Sequence, residues 1–491
     1  MIRAYSIAAV RAAEEATGDA LASGDLMRRA AAALATVVLA RVRERRAASV
    51  VVLVGPGDNG GDALYAAAQL SEHLQVVVVQ VGDWVHEAAL AAVTRAGVPR
   101  LRVARTRRAL TQPVRQALDE AEVIVDGLLG IGGRPGLTGA MAGLAEAIPQ
   151  EALVVAVDLP SGADPEGLSP LASSIWADET VTFGMAKPVH VLPSTRPAVG
   201  RLTVVDIGVP APEAAAVEQL TGTDVAGLWP VPGASDDKYS RGVLGVIAGS
   251  ACYPGAAVLA TSAAVESGAG MVRYVGPEAA AQQVLNAVPE AVPGHGQVQA
   301  WVIGPGIPTE ESTSDVRRQV EACRNALASD LPCVVDAGAL DLIEGPRGAP
   351  TLLTPHAGEL ARLLSRLEEG RVFHRNQVSA APLVHARRLV ELTGATVLLK
   401  GATTVVVGPD AEQPVRCQAD APAWLATAGA GDVLAGLAGT LVASGLDLLD
   451  AGSLAALVHG LAAHHANPGG PVRALGVARA IPWTVAELLG D

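Results

Sequence analysis

Apolar and polar positions along the chain alternate between two spacings. Over the first 40 residues alanine, valine and leucine recur at helical intervals with charged residues between them. Then Ser49-Val-Val-Val-Leu-Val54, a short β-branched run, ends in Gly55-Pro-Gly-Asp-Asn-Gly-Gly-Asp62, and an alanine-rich helix is expected through Leu70. Strand, glycine loop and helix in that order open a βαβ unit. Further strands are predicted at Gln75 to Val81, Glu122 to Val125, Leu153 to Val157, Glu179 to Phe183 and Arg201 to Val205, with helical patterns between most of them. This alternation predicts a largely parallel, doubly wound, Rossmann-like sheet.

Between Pro210 and Asp237 the pattern loosens: four prolines and no clear strand mark a domain boundary. A second α/β series starts at Gly242-Val-Leu-Gly-Val-Ile-Ala-Gly249, with strands expected near 271, 300, 333, 351, 396 and 404. The apolar segment Val433 to Ala466, broken at Gly445, Asp447, Asp450 and Ser453, reads as two core helices. The expected layout is a first domain over 1–212, a linker over 213–237 and a second domain over 238–491, both α/β.

Composition narrows the function classes. A formal charge of −14 repels nucleic acid and anionic membrane surfaces, so an anionic ligand has to be held by local geometry. The four cysteines, Cys252, Cys323, Cys333 and Cys417, show no C-x-x-C spacing, which points away from a zinc site or a disulfide framework. No charged leader with an apolar core opens the chain and no apolar run reaches membrane-spanning length. A cytoplasmic protein acting on small molecules, assembled as a homo-oligomer, is expected. Lysine occurs only at Lys187, Lys238 and Lys400, every other basic side chain being arginine. Such economy suggests that an ammonium is kept where it is needed, although codon bias explains it equally simply.

Candidate chemistry gathers at predicted strand ends. In the second half, Ala426-Thr-Ala-Gly-Ala-Gly-Asp-Val-Leu-Ala-Gly436 sets four small residues before Asp432 and a buried helix. Backbone N–H groups at such a helix start can face a phosphate, and a carboxylate placed there suits general-base work. A glycine-rich turn with an acid in the first helical turn is the plain alternative. Lys400 at the end of a β-rich run, followed by Gly401, Ala402, Thr403 and Thr404, can hold phosphates or ribose, or can be an ordinary hairpin. Leu353-Thr-Pro-His-Ala-Gly-Glu359 offers His356 and Glu359, and Ile247-Ala-Gly-Ser-Ala-Cys-Tyr-Pro-Gly-Ala-Ala257 offers small residues beside which a flat ligand fits. Open-sheet logic places all four loops around one crevice.

As a set, these motifs resemble the NAD(P)H-hydrate dehydratase domain of the ribokinase-like superfamily, over about residues 238 to 490. The resemblance implies phosphorylation of the C6 hydroxyl of hydrated NADH or NADPH (NADHX, NADPHX), with ADP as donor and magnesium ion present, followed by loss of phosphate. It implies that Lys400, Gly401, Ala402, Thr403, Thr404 and Gly431 contact ADP. Ala256, Gly306 of Ile303-Gly-Pro-Gly306, His356 and Asp432 would contact the hydrate, with Asp432 as the base. Gly338, in Val335-Asp-Ala-Gly-Ala-Leu340, stands where the family usually has a second acid.

In the first half, the Gly55 to Asp62 loop combines backbone N–H groups, the Asn59 amide and two carboxylates, and can hold a phosphate and a cation together. Asp126 in Val125-Asp-Gly-Leu-Leu-Gly-Ile-Gly-Gly-Arg134 and Asp158 in Val157-Asp-Leu-Pro-Ser-Gly162 end two more strands. From Arg11-Ala-Ala-Glu-Glu-Ala-Thr-Gly18 through Val181-Thr-Phe-Gly-Met-Ala-Lys-Pro188 to Asp206-Ile-Gly-Val-Pro210, this half resembles the NAD(P)H-hydrate epimerase domain. The resemblance implies a potassium ion on Asn59, Asp126 and Ser161. It places the hydrate along Asp58, Asn59, Gly60, Gly61 and Asp62 and along Gly130, Ile131, Gly132, Gly133, Arg134, Pro135 and Gly136. Asp158 would be the acid/base and Arg134 would hold a phosphate or ring oxygen. Asp58 replaces the family's usual Asn. Lys187 is read either as catalytic or as a structural partner at a strand end. A ribokinase-like small-molecule kinase carrying a non-catalytic ligand-binding module is the competing assignment.

Overall fold

The computed structural model describes residues 1–308 and 313–490. The chain separates into two compact units, Arg3–Val217 and a second running from Glu218 to the C-terminus together with Met1–Ile2. The segment expected as a linker is not featureless: it contains a strand, Val217–Gln219, and a helix, Gly222–Leu228. Thr221 and Asp224 close a capping box at that helix, a start signal overlooked among the surrounding prolines.

In the first unit seven parallel strands stand in the order Arg100–Val103, Gln75–Val81, Ser49–Val54, Val123–Gly127, Leu153–Val157, Glu179–Phe183, Arg201–Val205. Valine and isoleucine dominate these strands because both faces are covered. One apolar layer packs beneath helices Asp25–Arg45 and Asp58–Leu70, the other beneath Gln112–Asp119 and Gly139–Glu146. The order reverses between Ser49–Val54 and Val123–Gly127, and a crevice opens at such a switch point. One expectation changes: the glycine-rich loop ends at Gly57, and Asp58 to Asp62 form the first turns of a helix. A methyl on Gly60 would lie 2.1 Å from the Gly55 carbonyl oxygen, so this glycine permits backbone contact within a helix rather than a wide loop.

In the sheet of the second unit Met271–Val275, Val243–Ile247, Ala300–Ile303, Cys333–Val335, Thr351–Leu353 and Thr396–Leu399 run parallel. Thr404–Val407 and Val415–Gln418 continue it antiparallel. The two helices read from the apolar segment are Ala430–Ala443 and Leu448–Ala466. The first presses closely on helix Pro254–Glu266: a methyl on Gly436 would stand 2.2 Å from the Ala260 carbonyl oxygen. Small residues thus let this helix sit deep enough for its N-terminus to reach the strand ends. Among the described residues no helix is long and apolar enough to cross a membrane.

Candidate active sites

In the first unit the strand Leu153–Val157 delivers Asp158 with φ of 64°, in the left-handed region that costs a non-glycine residue energy. Local contacts hold it there. Its Oδ1 accepts hydrogen bonds from the Thr182 hydroxyl at 2.9 Å and from the Lys187 ammonium at 2.5 Å. Lys187 is only 2% exposed and also donates to Thr182 Oγ1 and the Phe183 carbonyl. The Lys187 backbone N–H donates to His190 Nδ1, which leaves Nε2 as the donor to the Asp158 carbonyl at 2.8 Å. Burial, reinforced by the Lys187 charge, lowers His190 to about 4, so it is neutral. Burial alone would raise Asp158, but the Lys187 ammonium and its hydrogen bond outweigh it and hold the carboxyl below its ordinary range.

Asp58 and Asp62 lie four residues apart on one face of their helix. Asp62 is buried and its Oδ1 meets no hydrogen-bond partner among the described residues. Burial, then the carboxylates of Asp158, Asp58 and Glu14, raise its pKa well above the usual value. Glu14 was not singled out in the sequence. It approaches from helix Ile7–Glu15, and its own pKa is raised by burial despite the nearby Lys187.

Beside this group, Asp126 is fully buried and accepts from Ser161 Oγ at 2.6 Å, Ser161 N at 2.8 Å and Leu128 N at 3.2 Å. Burial pushes its carboxyl up to about 6. Asn59 Nδ2 donates to the Leu129 and Val157 carbonyls at 3.0 and 2.8 Å, and Ser161 Oγ lies 3.3 Å from the same Leu129 oxygen. Asn59, Asp126 and Ser161 therefore meet at one point, with two carbonyl oxygens. The Gly130 to Gly136 loop leaves from there: Gly133 N–H closes a turn on the Gly130 carbonyl, and Gly136 N–H donates to Gly162. Arg134 and Pro135 are exposed on it.

In the second unit Lys400 Nζ donates to Asp336 Oδ1 at 2.6 Å, with Glu359 Oε2 at 3.8 Å. Asp336 is buried at the end of Cys333–Val335 and also accepts from Thr354 Oγ1 at 2.8 Å. Burial works against the Lys400 ammonium, but the charges of Asp336 and Glu359 prevail and raise its pKa. Lys400 lies over the start of helix Ala430–Ala443: a methyl on Gly431 would be 3.4 Å from Nζ and 3.9 Å from Asp336 Oδ2. The N–H groups of Gly431 and Asp432 find no backbone acceptor among the described residues. Burial first, then repulsion from Asp336, push Asp432 up to about 7 although Lys400 opposes the shift. Asp336 was missed in the sequence, where its segment drew notice only for Gly338. A polar residue at the end of a buried strand was the available signal, as it was at Asp126 and Asp158.

Other expected residues fall around this group. Loop residue Gly306 contacts Ala256 so closely that a methyl on it would lie 2.5 Å from Ala256 Cβ. Gly401 and Ala402 are exposed at the hairpin turn, with Thr403 and Thr404 half-buried. His356 caps helix Ala357–Leu367: Nδ1 accepts from Gly358 N and Glu359 N, while Glu359 returns a bond to His356 N. Nε2, which takes no part in the cap, stands 3.5 Å from Glu359 Oε1. Lys238 is exposed beside Tyr239, so the economy of lysine marks two sites and not a third.

Residues 244–474 match the NAD(P)H-hydrate dehydratase family, and residues 23–189 match the family described as YjeF-related protein N-terminus. The bifunctional NAD(P)H-hydrate repair enzyme of Mycobacterium tuberculosis is 42% identical over 461 residues, covering 90% of this chain and 89% of that protein. The chain belongs to the bifunctional NAD(P)H-hydrate repair enzymes. The Mycobacterium leprae member is 41% identical over 485 residues, covering 95% of this chain and 94% of its own length. Among solved structures, the ADP/ATP-dependent NAD(P)H-hydrate dehydratase of Bacillus subtilis, co-crystallized with ATP and magnesium, is 25% identical. It covers 55% of this chain and 97% of its own, with a TM-score of 0.47. For a repair enzyme of this family two separate charged centres on one chain are the natural arrangement, one in each matched region.

Proposed function

We propose that the first unit interconverts the R and S hydrates of NADH and NADPH, and that the second dehydrates the S form at the expense of ADP, yielding AMP and phosphate. The observation that carries the reading is the second centre: a carboxyl near 7 beside a lysine and unpaired helix N–H groups. At neutral pH Asp432 exchanges its proton readily, as a general base must. It takes the proton of the C6 hydroxyl while that oxygen bonds to the terminal phosphorus of ADP and the bond to the AMP oxygen breaks. Lys400 and the Gly431 and Asp432 N–H groups stabilise the negative charge of the phosphoryl group in flight. Loss of phosphate from C6 and of a proton from C5 restores the reduced nicotinamide ring. Gly401 to Thr404 line the nucleotide side, and Ala256, Gly306 and His356 Nε2 the hydrate side. Magnesium fits the acidic face of Asp336 and Asp432, whose mutual repulsion a divalent cation relieves, and when bound it neutralises the nucleotide phosphates.

In the first unit, Asp158 serves as the acid/base group, and the Asp58 to Asp62 turn, the Gly130 to Gly136 loop and exposed Arg134 hold the hydrate. Potassium fits the oxygen-only set of Asn59, Asp126 and Ser161. Asp126 is a buried carboxylate whose hydrogen-bond partners carry no charge, and a cation there would relieve its burial. When bound, the ion supplies a fixed positive charge near a phosphate of the hydrate. A cytoplasmic homo-oligomer is the setting we propose. The cysteines are all free, one of them, Cys252, exposed, which suits a reducing compartment.

The test is incubation of mixed R and S hydrates with ADP and magnesium. Complete consumption, recovered reduced-nicotinamide absorbance and one phosphate released per hydrate are expected. Accumulation of a phosphorylated product without recovered absorbance would instead mark a small-molecule kinase.

A further inference from the structure

Of the acid/base work assigned to Asp158, its surroundings support the proton-accepting half. Its carboxyl is tied to Lys187 and Thr182, and that pairing keeps it ionised. Epimerisation at a carbon bearing both a hydroxyl and a ring nitrogen nevertheless needs an acid, because hydroxide is a poor leaving group. Asp62 is placed to be that acid. It lies one helical turn beyond Asp58, is 9% exposed, and carries a buried oxygen that no donor among the described residues satisfies. A buried acceptor without a donor is costly, whereas a protonated carboxyl can offer its O–H to a ligand.

We propose that Asp62 is the catalytic acid of the epimerase centre, donating its proton to the C6 hydroxyl of the hydrate. This deepens the epimerase reading and rests on it. The C6–O bond breaks, water leaves, and the N1 lone pair becomes the N1–C6 double bond of a cationic ring. Asp158 and Asp58, both carboxylates, favour that cation. Water then adds to the other face of C6, the double-bond electrons return to N1, and the added water gives its proton to Asp158, which passes it to solvent. Asp62 regains a proton from solvent, so the cycle closes without oxidant or reductant.

The surroundings explain why Asp62 and not its neighbours holds a proton. Burial is the main cause; Asp158, Asp58 and Glu14 add like charge, and Lys187, which opposes them, is committed to Asp158. Arg11 stands beside Glu14, and His86 lies beyond Gly61, the residue preceding Asp62. Ketosteroid-type sites use the same device of an acid kept neutral by its environment.

Three measurements on the intact chain, without ADP, test the assignment. In wild type the R-to-S rate should fall as pH rises and Asp62 loses its proton, and conversion in oxygen-18 water should place label in the C6 hydroxyl. Asp62→Asn should slow conversion by about 10²-fold and abolish the alkaline fall, while Asp62→Glu restores part of the rate. A wild-type enzyme that converts without label, or without an alkaline fall, overturns the proposal, as does Asp62→Asn at wild-type rate. The two wild-type measurements stand even if the Asn variant does not fold. Absence of any R-to-S conversion in wild type would instead remove the epimerase reading itself.

Discussion

Both centres combine one lysine with several carboxylates at the ends of parallel strands, yet they distribute the charge differently. In each, the lysine pairs with a buried acid: Lys187 with Asp158 and Lys400 with Asp336. In each, another acid is left outside the pair and has a raised pKa: Asp62 in the first unit and Asp432 in the second. The difference lies in what surrounds the unpaired acid. Asp62 sits among three other carboxylates with no open donor, which suits a group that gives a proton. Asp432 sits under a lysine and free helix N–H groups, which suits a group that takes one beside an anion. The paired lysine fixes the site's net charge, and the unpaired acid does the proton transfer.

The comparison breaks most severely at Asp432. Asp432→Asn is expected to lower ADP-dependent dehydration by about 10³-fold, within the range for a lost acid–base group, and to leave epimerisation untouched. Initial rates of both reactions on one preparation check it. Next come the two lysines. Lys187→Met strands Asp158 in the interior and should cost about 3–5 kcal/mol of stability in urea unfolding, as when a buried pair is broken. Lys400→Met should cost less, since Lys400 is more exposed, and should show itself mainly as a raised KM for ADP.

A smaller effect separates the centres by pH. Asp432 near 7 is protonated below that value and inactive as a base, so the dehydration rate should fall as pH drops through 7. For stability the sign is opposite. The folded state binds a proton that the unfolded chain has already released, so stability present below the ordinary Asp value is lost as pH rises through about 7. Asp432→Asn should flatten that slope in pH-dependent melting. The smallest expected change is ionic: replacing potassium by tetramethylammonium should slow epimerisation and leave dehydration as it was.

The β-branched runs and the glycine-terminated strand ends made both parallel sheets readable from the chain, because burial on two faces writes itself as continuous valine and isoleucine. Two short strands of the second sheet were less visible. Val217–Gln219 and Val415–Gln418 are short and polar, and their pairing depends on partners far away in sequence. The same distance hid Asp336, whose lysine lies 64 positions later. It also hid Glu14, which reaches the first centre through the packing of a helix that by itself looks amphipathic and ordinary. His356 showed its residue type but not its duty as a cap, since capping depends on where the helix begins.

The division of labour between the centres is tested most directly by crossing two variants on mixed R and S hydrates with ADP, over a time too short for uncatalysed interconversion. Asp158→Ala should stop once the S hydrate is gone, Asp432→Asn should consume neither but bring R and S to balance, and the two together should consume everything. Complete consumption by Asp158→Ala alone, or failure of the mixed variants to finish the R hydrate, would contradict it.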